Sequence, residues 1–159
     1  MAQQFHVTVK SAKQGDFKGD IAGKSNNQIA GLGFRDGVSV NVGATGQATG
    51  RRQYSPIAFT KAWSGSSPQF LQALATNETL TAVTFEFFKA KPDGTEQTFY
   101  TIKLSDASVV RIEQFAGNLN SLSATVPEIE EISLTFRKIQ VTSVEGGTGA
   151  ADDWSGPAV

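Results

Sequence analysis

The sequence predicts an all-β fold, a barrel or sandwich of about nine or ten short strands with a single α-helix. Three observations carry that prediction. Apolar and polar residues alternate over short runs along most of the chain, the period of a strand with one buried face. Those runs draw on Val, Ile, Thr and many of the eleven phenylalanines, residues whose shape suits a pleated, half-buried surface. Glycine-rich and Asp-Gly stretches punctuate the runs as turns, and only one segment has helical spacing.

In chain order, Phe5 to Lys10 alternates cleanly and forms the first strand. Ser11 to Ser25, rich in Gly, Lys and Asp, is a long polar connection. Gln28 to Phe34 and Val38 to Val42 are two further strands, with Arg35-Asp36-Gly37 as a tight turn between them. Gly43 to Gln53 contains no large apolar residue and has nothing to bury, so it should protrude as a loop. Tyr54 to Thr60 resumes the strand pattern. The helix follows, at about Pro68–Ala75: Ser66 or Ser67 caps it, and Pro68 suits the first position, where a missing N–H costs nothing. Phe70, Leu71 and Leu74 then make an apolar stripe that packs on the strands.

The second half is almost all strand. Val83, Phe85 and Phe87 share one face, Pro92-Asp93-Gly94 turns the chain, and Tyr100, Ile102 and Leu104 share the next face. Val110 and Ile112 are the expected inward pair of the following strand, opposite Arg111 and Glu113. Ile132, Leu134 and Phe136 alternate, after which Ile139 and Val141 fall on the other phase. A bulge near Arg137-Lys138 would keep both sets inward. From Glu145 onward Gly and Asp dominate, so the chain divides into one domain, 1–144, and a flexible tail, 145–159.

Composition excludes several function classes. A chain of 159 residues is one domain that can bury a core without staples, and it has no cysteine for disulfides or thiolate metal sites. Fourteen basic residues against fifteen acidic ones give no electrostatic case for nucleic acid or for an anionic membrane. No apolar run approaches the roughly 20 residues that a membrane span needs. Met1 to His6 lacks the positive and apolar regions of a cleaved signal, so the expectation is synthesis as a soluble cytoplasmic protein. Asn77-Glu78-Thr79 matches a glycosylation sequon by chance.

Motifs that suggest chemistry fail on spacing or context. Lys18 to Ser25 looks like a phosphate-binding loop, but only three residues separate Gly19 from Gly23 and no strand-to-helix setting surrounds it. Gly31, Gly33 and Gly37 miss the dinucleotide spacing by one residue, and Gly37 to Asn41 lacks the last glycine of a nucleophile elbow. His6, the only histidine, sits on the polar phase of the first strand, which makes it a solvated or interface residue. With no cysteine beside it, it supplies neither a zinc donor set nor a supported triad. Asp152-Asp153, in a mobile tail, makes a poor calcium cage. The expectation is a non-enzyme with no catalytic, cofactor or metal residues. Arg51 and Arg52, at the base of the protruding loop, suit either solvent or a neighbouring subunit.

Three segments, in order and spacing, resemble the Hcp family, the haemolysin-coregulated (TssD) inner-tube proteins of type VI secretion systems. They are Gly15 to Ile21, Thr45 to Ile57 running on to Thr60-Lys61, and Ser66 to Leu74. Glu131 to Ile139 and the tail around Asp152-Asp153-Trp154 are also similar to the family's C-terminus. The chain departs from the family at Ala62-Trp63-Ser64-Gly65, where a charged residue or two is usual, and its tail is less charged.

The resemblance implies a two-sheet β-barrel with the helix on its outside. It implies homohexameric rings that stack into a tube, a contractile sheath that expels the tube, and a VgrG-type spike that caps it. It implies effector proteins carried in the ring lumen, assembly in the bacterial cytoplasm, and release to the extracellular space or a target cell. It gives the protruding loop a place at an inter-subunit or inter-ring contact, with Thr45, Gly46, Gln47, Gly50, Arg51, Arg52 and Gln53 as candidates and Trp63 as a further one. Arg35, on the same strand phase as Gly31 and Gly33, is the lumen-facing candidate. A tail-tube protein of a phage-like contractile injection system, with the same fold and ring, is the alternative.

Overall fold

A computed structural model describes residues 4–20, 27–116 and 128–153. Its elements are β1 (Gln4–Ser11), β2 (Gly15–Asp16), β3 (Ile29–Gly31), β4 (Gly33–Val42), β5 (Ala48–Ala62), α1 (Ser67–Ala75), β6 (Leu80–Ala90), β7 (Glu96–Phe115), β8 (Ile129–Thr135), β9 (Lys138–Ser143) and β10 (Thr148–Asp153). Among the described residues the fold is mostly β with one helix, and the ten described strands match the expected number.

One antiparallel path runs β2–β1–β6–β7–β8–β5–β4, with β3 added to β1, β9 to β7 and β10 to β9. The spine is β7, twenty residues long. Its Tyr100–Ser105 stretch pairs with β9, and its Ser108–Phe115 stretch pairs with β8. Asp106 lies between the two stretches with φ 52°. Arg137 sits at the same crossing: its N–H donates to the Ser105 carbonyl at 3.2 Å and its Nε lies 3.3 Å from the Asp106 carboxylate. The phase slip in the sequence is therefore no bulge. At Phe136–Arg137 the chain leaves the β5–β8 group and starts a new strand beside the first half of β7. Phe136 and Ile139 are both buried as a result.

The core is a run of aromatic rings, mostly edge to face. Phe17 meets Phe70, Phe70 meets Phe59, Phe59 meets Phe85, and Phe85 meets Phe34. Such pairs add about 0.5–1.5 kcal/mol each beyond burial. Gly31 serves this packing: a Cβ there would fall 2.0 Å from the Phe5 ring.

Several sequence expectations need correction. Within the Ser11–Ser25 connection, Gly15–Asp16 pairs with β1 and Phe17 is fully buried, while 21–25 lie outside the described residues. Arg35-Asp36-Gly37 is no turn. Strand β4 continues through it, with a register shift between Arg35 and Gly37, because both halves pair with the same fifteen-residue β5. The hairpin turn is only 43–47, since β5 begins at Ala48. Val110 is exposed and Val109 buried, because the register shifts between Val109 and Arg111. Thr148–Asp153, placed in the flexible tail, pairs as a strand with β9; 154–159 lie outside the described residues.

The helix also differs in detail. Ser66 occupies the cap position without a side-chain cap bond, and the Ser67 hydroxyl is taken by Glu130. Its buried stripe is Phe70 and Ala73, with Leu74 half-buried and Leu71 exposed. His6 is buried against Phe88 rather than solvated, because both faces of β1 are covered at that position.

Candidate functional site

The candidate surface is the β4–β5 hairpin, an arm on the margin of the strand path. Its tip is closed by backbone bonds, from the Gly43 N–H to the Gln47 carbonyl at 2.7 Å and from the Gly46 N–H to the Gly43 carbonyl at 2.9 Å. Gly46 has φ 84°, a left-handed conformation that glycine adopts without a Cβ clash. Thr45, Gly46, Gln47, Gly50, Arg51 and Gln53 are all exposed on this arm. So are Val38, Val40 and Val42, an alternating apolar row on the predicted strand. An edge strand with an exposed apolar row is a ready surface for another chain.

Arg52 behaves differently from its neighbours. Its Nε and Nη2 both donate to the Asp152 carboxylate, the latter at 2.7 Å, and Nη2 also donates to the Asp153 carbonyl at 2.8 Å. The Tyr54 hydroxyl donates to the same carboxylate. These hydrogen bonds, Arg52's first, hold Asp152 below the usual carboxylate range. Burial, and then the hydrogen bond to Asp152, push Tyr54 up. Asp152 and Tyr54 were missed as site residues because their partner lies far away in the chain.

Trp63 is partly exposed and tied to the start of β8: its indole N–H donates to the Ile129 carbonyl at 2.9 Å and its backbone N–H to the Glu128 carbonyl at 3.1 Å. Arg35 lies on a polar outer face of β4, β5, β8 and β7, where its guanidinium is 4.0 Å from Glu131. Arg111 approaches the same Glu131 oxygen at 3.4 Å and also pairs with Glu113. Ser55 and Ser133 line the shallow cavity beside them, of about 340 Å³.

A second polar cluster is buried beneath α1. The Lys61 ammonium is 2.7 Å from Glu130, and both side chains are 0% exposed. Lys61 also donates to Ser64 and Ser67, each at 3.1 Å. Ser67 donates to Glu130 at 2.6 Å, and Gln114 does so at 3.1 Å. Burial alone would raise the Glu130 carboxyl, but these hydrogen bonds and the Lys61 charge outweigh it and hold the group low. A serine beside a lysine and a carboxylate has the ingredients of a nucleophile, yet a pair with no exposure meets no substrate. Among the described residues no cluster of His, Asp and Glu could hold a metal ion, and no helix is long and apolar enough to cross a membrane.

The family model of the type VI secretion system effector Hcp matches residues 10–142. The chain belongs to the Hcp family. It is 31% identical to the major exported protein of Pseudomonas aeruginosa, over 99% of this chain and 98% of that one. Among solved structures it is similar to an Hcp protein at TM-score 0.90 and 26% identity, covering 98% of this chain and 100% of that one. It also shares the fold of an Hcp1 mutant from E. coli EAEC 042, at TM-score 0.84 and 24% identity, over 96% and 99% of the two chains. As an Hcp-family member it is a structural, non-enzymatic, secreted protein of the type VI system, which sets it in the context of that apparatus.

Proposed function

We propose that this Hcp-family chain is the tube subunit of its secretion system. Six copies close into a ring, rings stack into the tube, a contractile sheath expels the tube, and a VgrG-type spike caps it. Assembly takes place in the bacterial cytoplasm, before release outside the cell or into a target. Each subunit is a closed two-sheet barrel. That closure is supported by the join of β3 to β4, since β3 pairs with β1 while the Leu32 N–H and β4 reach β5.

The observation that carries the proposal is the β4–β5 arm. It exposes Val38, Val40 and Val42 on the last strand of the path and Thr45, Gly46, Gln47, Gly50, Arg51 and Gln53 along its outer part. A closed ring needs one surface that meets a different surface of the next copy, and an edge strand that no second described strand pairs is such a surface. Trp63 is a further contact. The polar face around Arg35, Arg111 and Glu131 lines the lumen, where charged and hydroxyl groups can adapt to varied effector cargo.

Negative-stain imaging of the purified chain should show uniform rings with a central hole. Light scattering that finds only monomer at high concentration would overturn the proposal.

A further inference from the structure

The arm leaves the body of the protein at two irregular places, both in β5. Between the pairs Arg35↔Ala58 and Gly37↔Ser55, β5 carries one residue more than β4, beside Pro56, which has no N–H for the ladder. Between Ser39↔Gln53 and Asn41↔Thr49 it carries two more, and Gly50 there has φ 83°. A ladder interrupted twice bends and twists at each interruption, so backbone pairing alone sets the arm's angle loosely.

Packing beneath the arm is also incomplete. A cavity of about 210 Å³ separates it from β9 and β10, lined by Gly37, Val38, Ile57, Phe136, Val141 and Ala151. Across that gap reaches the Asp152 carboxylate, 100 residues further along the chain than Arg52. It takes both donors of the guanidinium fork and the Tyr54 hydroxyl, while Arg52 also grips the Asp153 carbonyl. Two parallel charged hydrogen bonds fix direction as well as distance.

We infer that Asp152 is a positioning residue for assembly: β10 is a strut whose carboxylate, through Arg52 and Tyr54, holds the arm at the angle at which it meets another copy of the chain. This rests on the arm being an inter-copy contact. Arg52 then belongs to the mounting of the contact, and Arg51 and Gln53 to its outer face.

The test uses the full chain carrying Asp152→Asn, which keeps the size of the side chain and removes its charge. Hydrogen exchange of the 37–55 segment should become about tenfold faster, while β6 and β8 exchange as in the parent protein. The fraction of protein in stacked rings, measured by sedimentation, should fall about fivefold or more at the same concentration. The exchanged pair Arg52→Asp with Asp152→Arg should recover both readings, which a general loss of stability would not do. Unchanged exchange in the arm, or equal acceleration in arm and core, overturns the strut. Faster exchange in the arm with undiminished stacking overturns the arm as a contact between copies, while the ring images of the variant still report on the tube reading by themselves.

Discussion

Strand β5 carries an ion pair near each end, and the two pairs sit in opposite surroundings. Lys61 and Glu130 are both 0% exposed, closed in by Ser67, Gln114 and the Phe70 ring. Arg52 and Asp152 are 19% and 29% exposed, above a cavity. The same kind of charge pairing therefore does different work. The buried pair locks the start of α1 to β8 and is costly to break, because an unpaired charge would remain without water. The half-exposed pair can open at small cost to the fold, so its effect falls on the direction of the arm.

The sharpest way to break this comparison is Lys61→Met. Leaving Glu130 buried without its cation should cost about 3–5 kcal/mol of stability in urea unfolding, and the double variant with Glu130→Leu should regain most of that loss. A single variant as stable as the parent would show that water reaches the pair.

Gly31→Ala comes next. Its Cβ would collide with the Phe5 ring, and forcing that ring aside should cost about 1–3 kcal/mol in the same assay.

Acid probes the buried pair without mutation. The Glu130 carboxyl is held low in the folded protein, so its stabilisation is fully present above the unfolded value of about 4.3 and is lost as pH falls below it toward the depressed folded value. Unfolding measured from pH 6 down to 3 should show that loss, and Glu130→Gln should flatten the slope.

At the other end of β5, Gly50→Ala keeps open space around the new methyl but strains a backbone at φ 83°, for about 1 kcal/mol. Its larger consequence should be a change in stacking. The smallest effect belongs to Arg111→Ala on the exposed polar face. Its thermal stability should stay within about 0.5 kcal/mol of the parent, because solvent screens that pair.

Much of the fold was legible in local pattern. Val83, Phe85, Ile102, Leu104, Ile132 and Leu134 alternate as expected and are buried. The Pro92-Asp93-Gly94 turn is present, with the Asp93 carboxylate accepting from both the N–H and the hydroxyl of Thr95. The errors share one cause, since each needed knowledge of a partner element elsewhere in the chain. Arg35-Asp36-Gly37 has the composition of a turn, but a long β5 lying alongside keeps it extended. Val38, Val40 and Val42 have the pattern of a buried face, but no described strand lies beyond β4 to cover them. Phe17 was hidden in a polar run, and only its contact with Phe70 makes it core.

The sequence by itself determined the β class, the helix after Ser66 and the exposed, glycine-bearing hairpin tip, because alternation and missing apolar bulk are properties of neighbouring residues. It also carried the family resemblance, through the order of three short segments. Only the tertiary structure decided that Arg52 turns back to Asp152, that Lys61 is sealed against Glu130, and that β8 hands over to β9 at Arg137. Those outcomes depend on which distant side chains share a space, and charge, burial and register are settled there together.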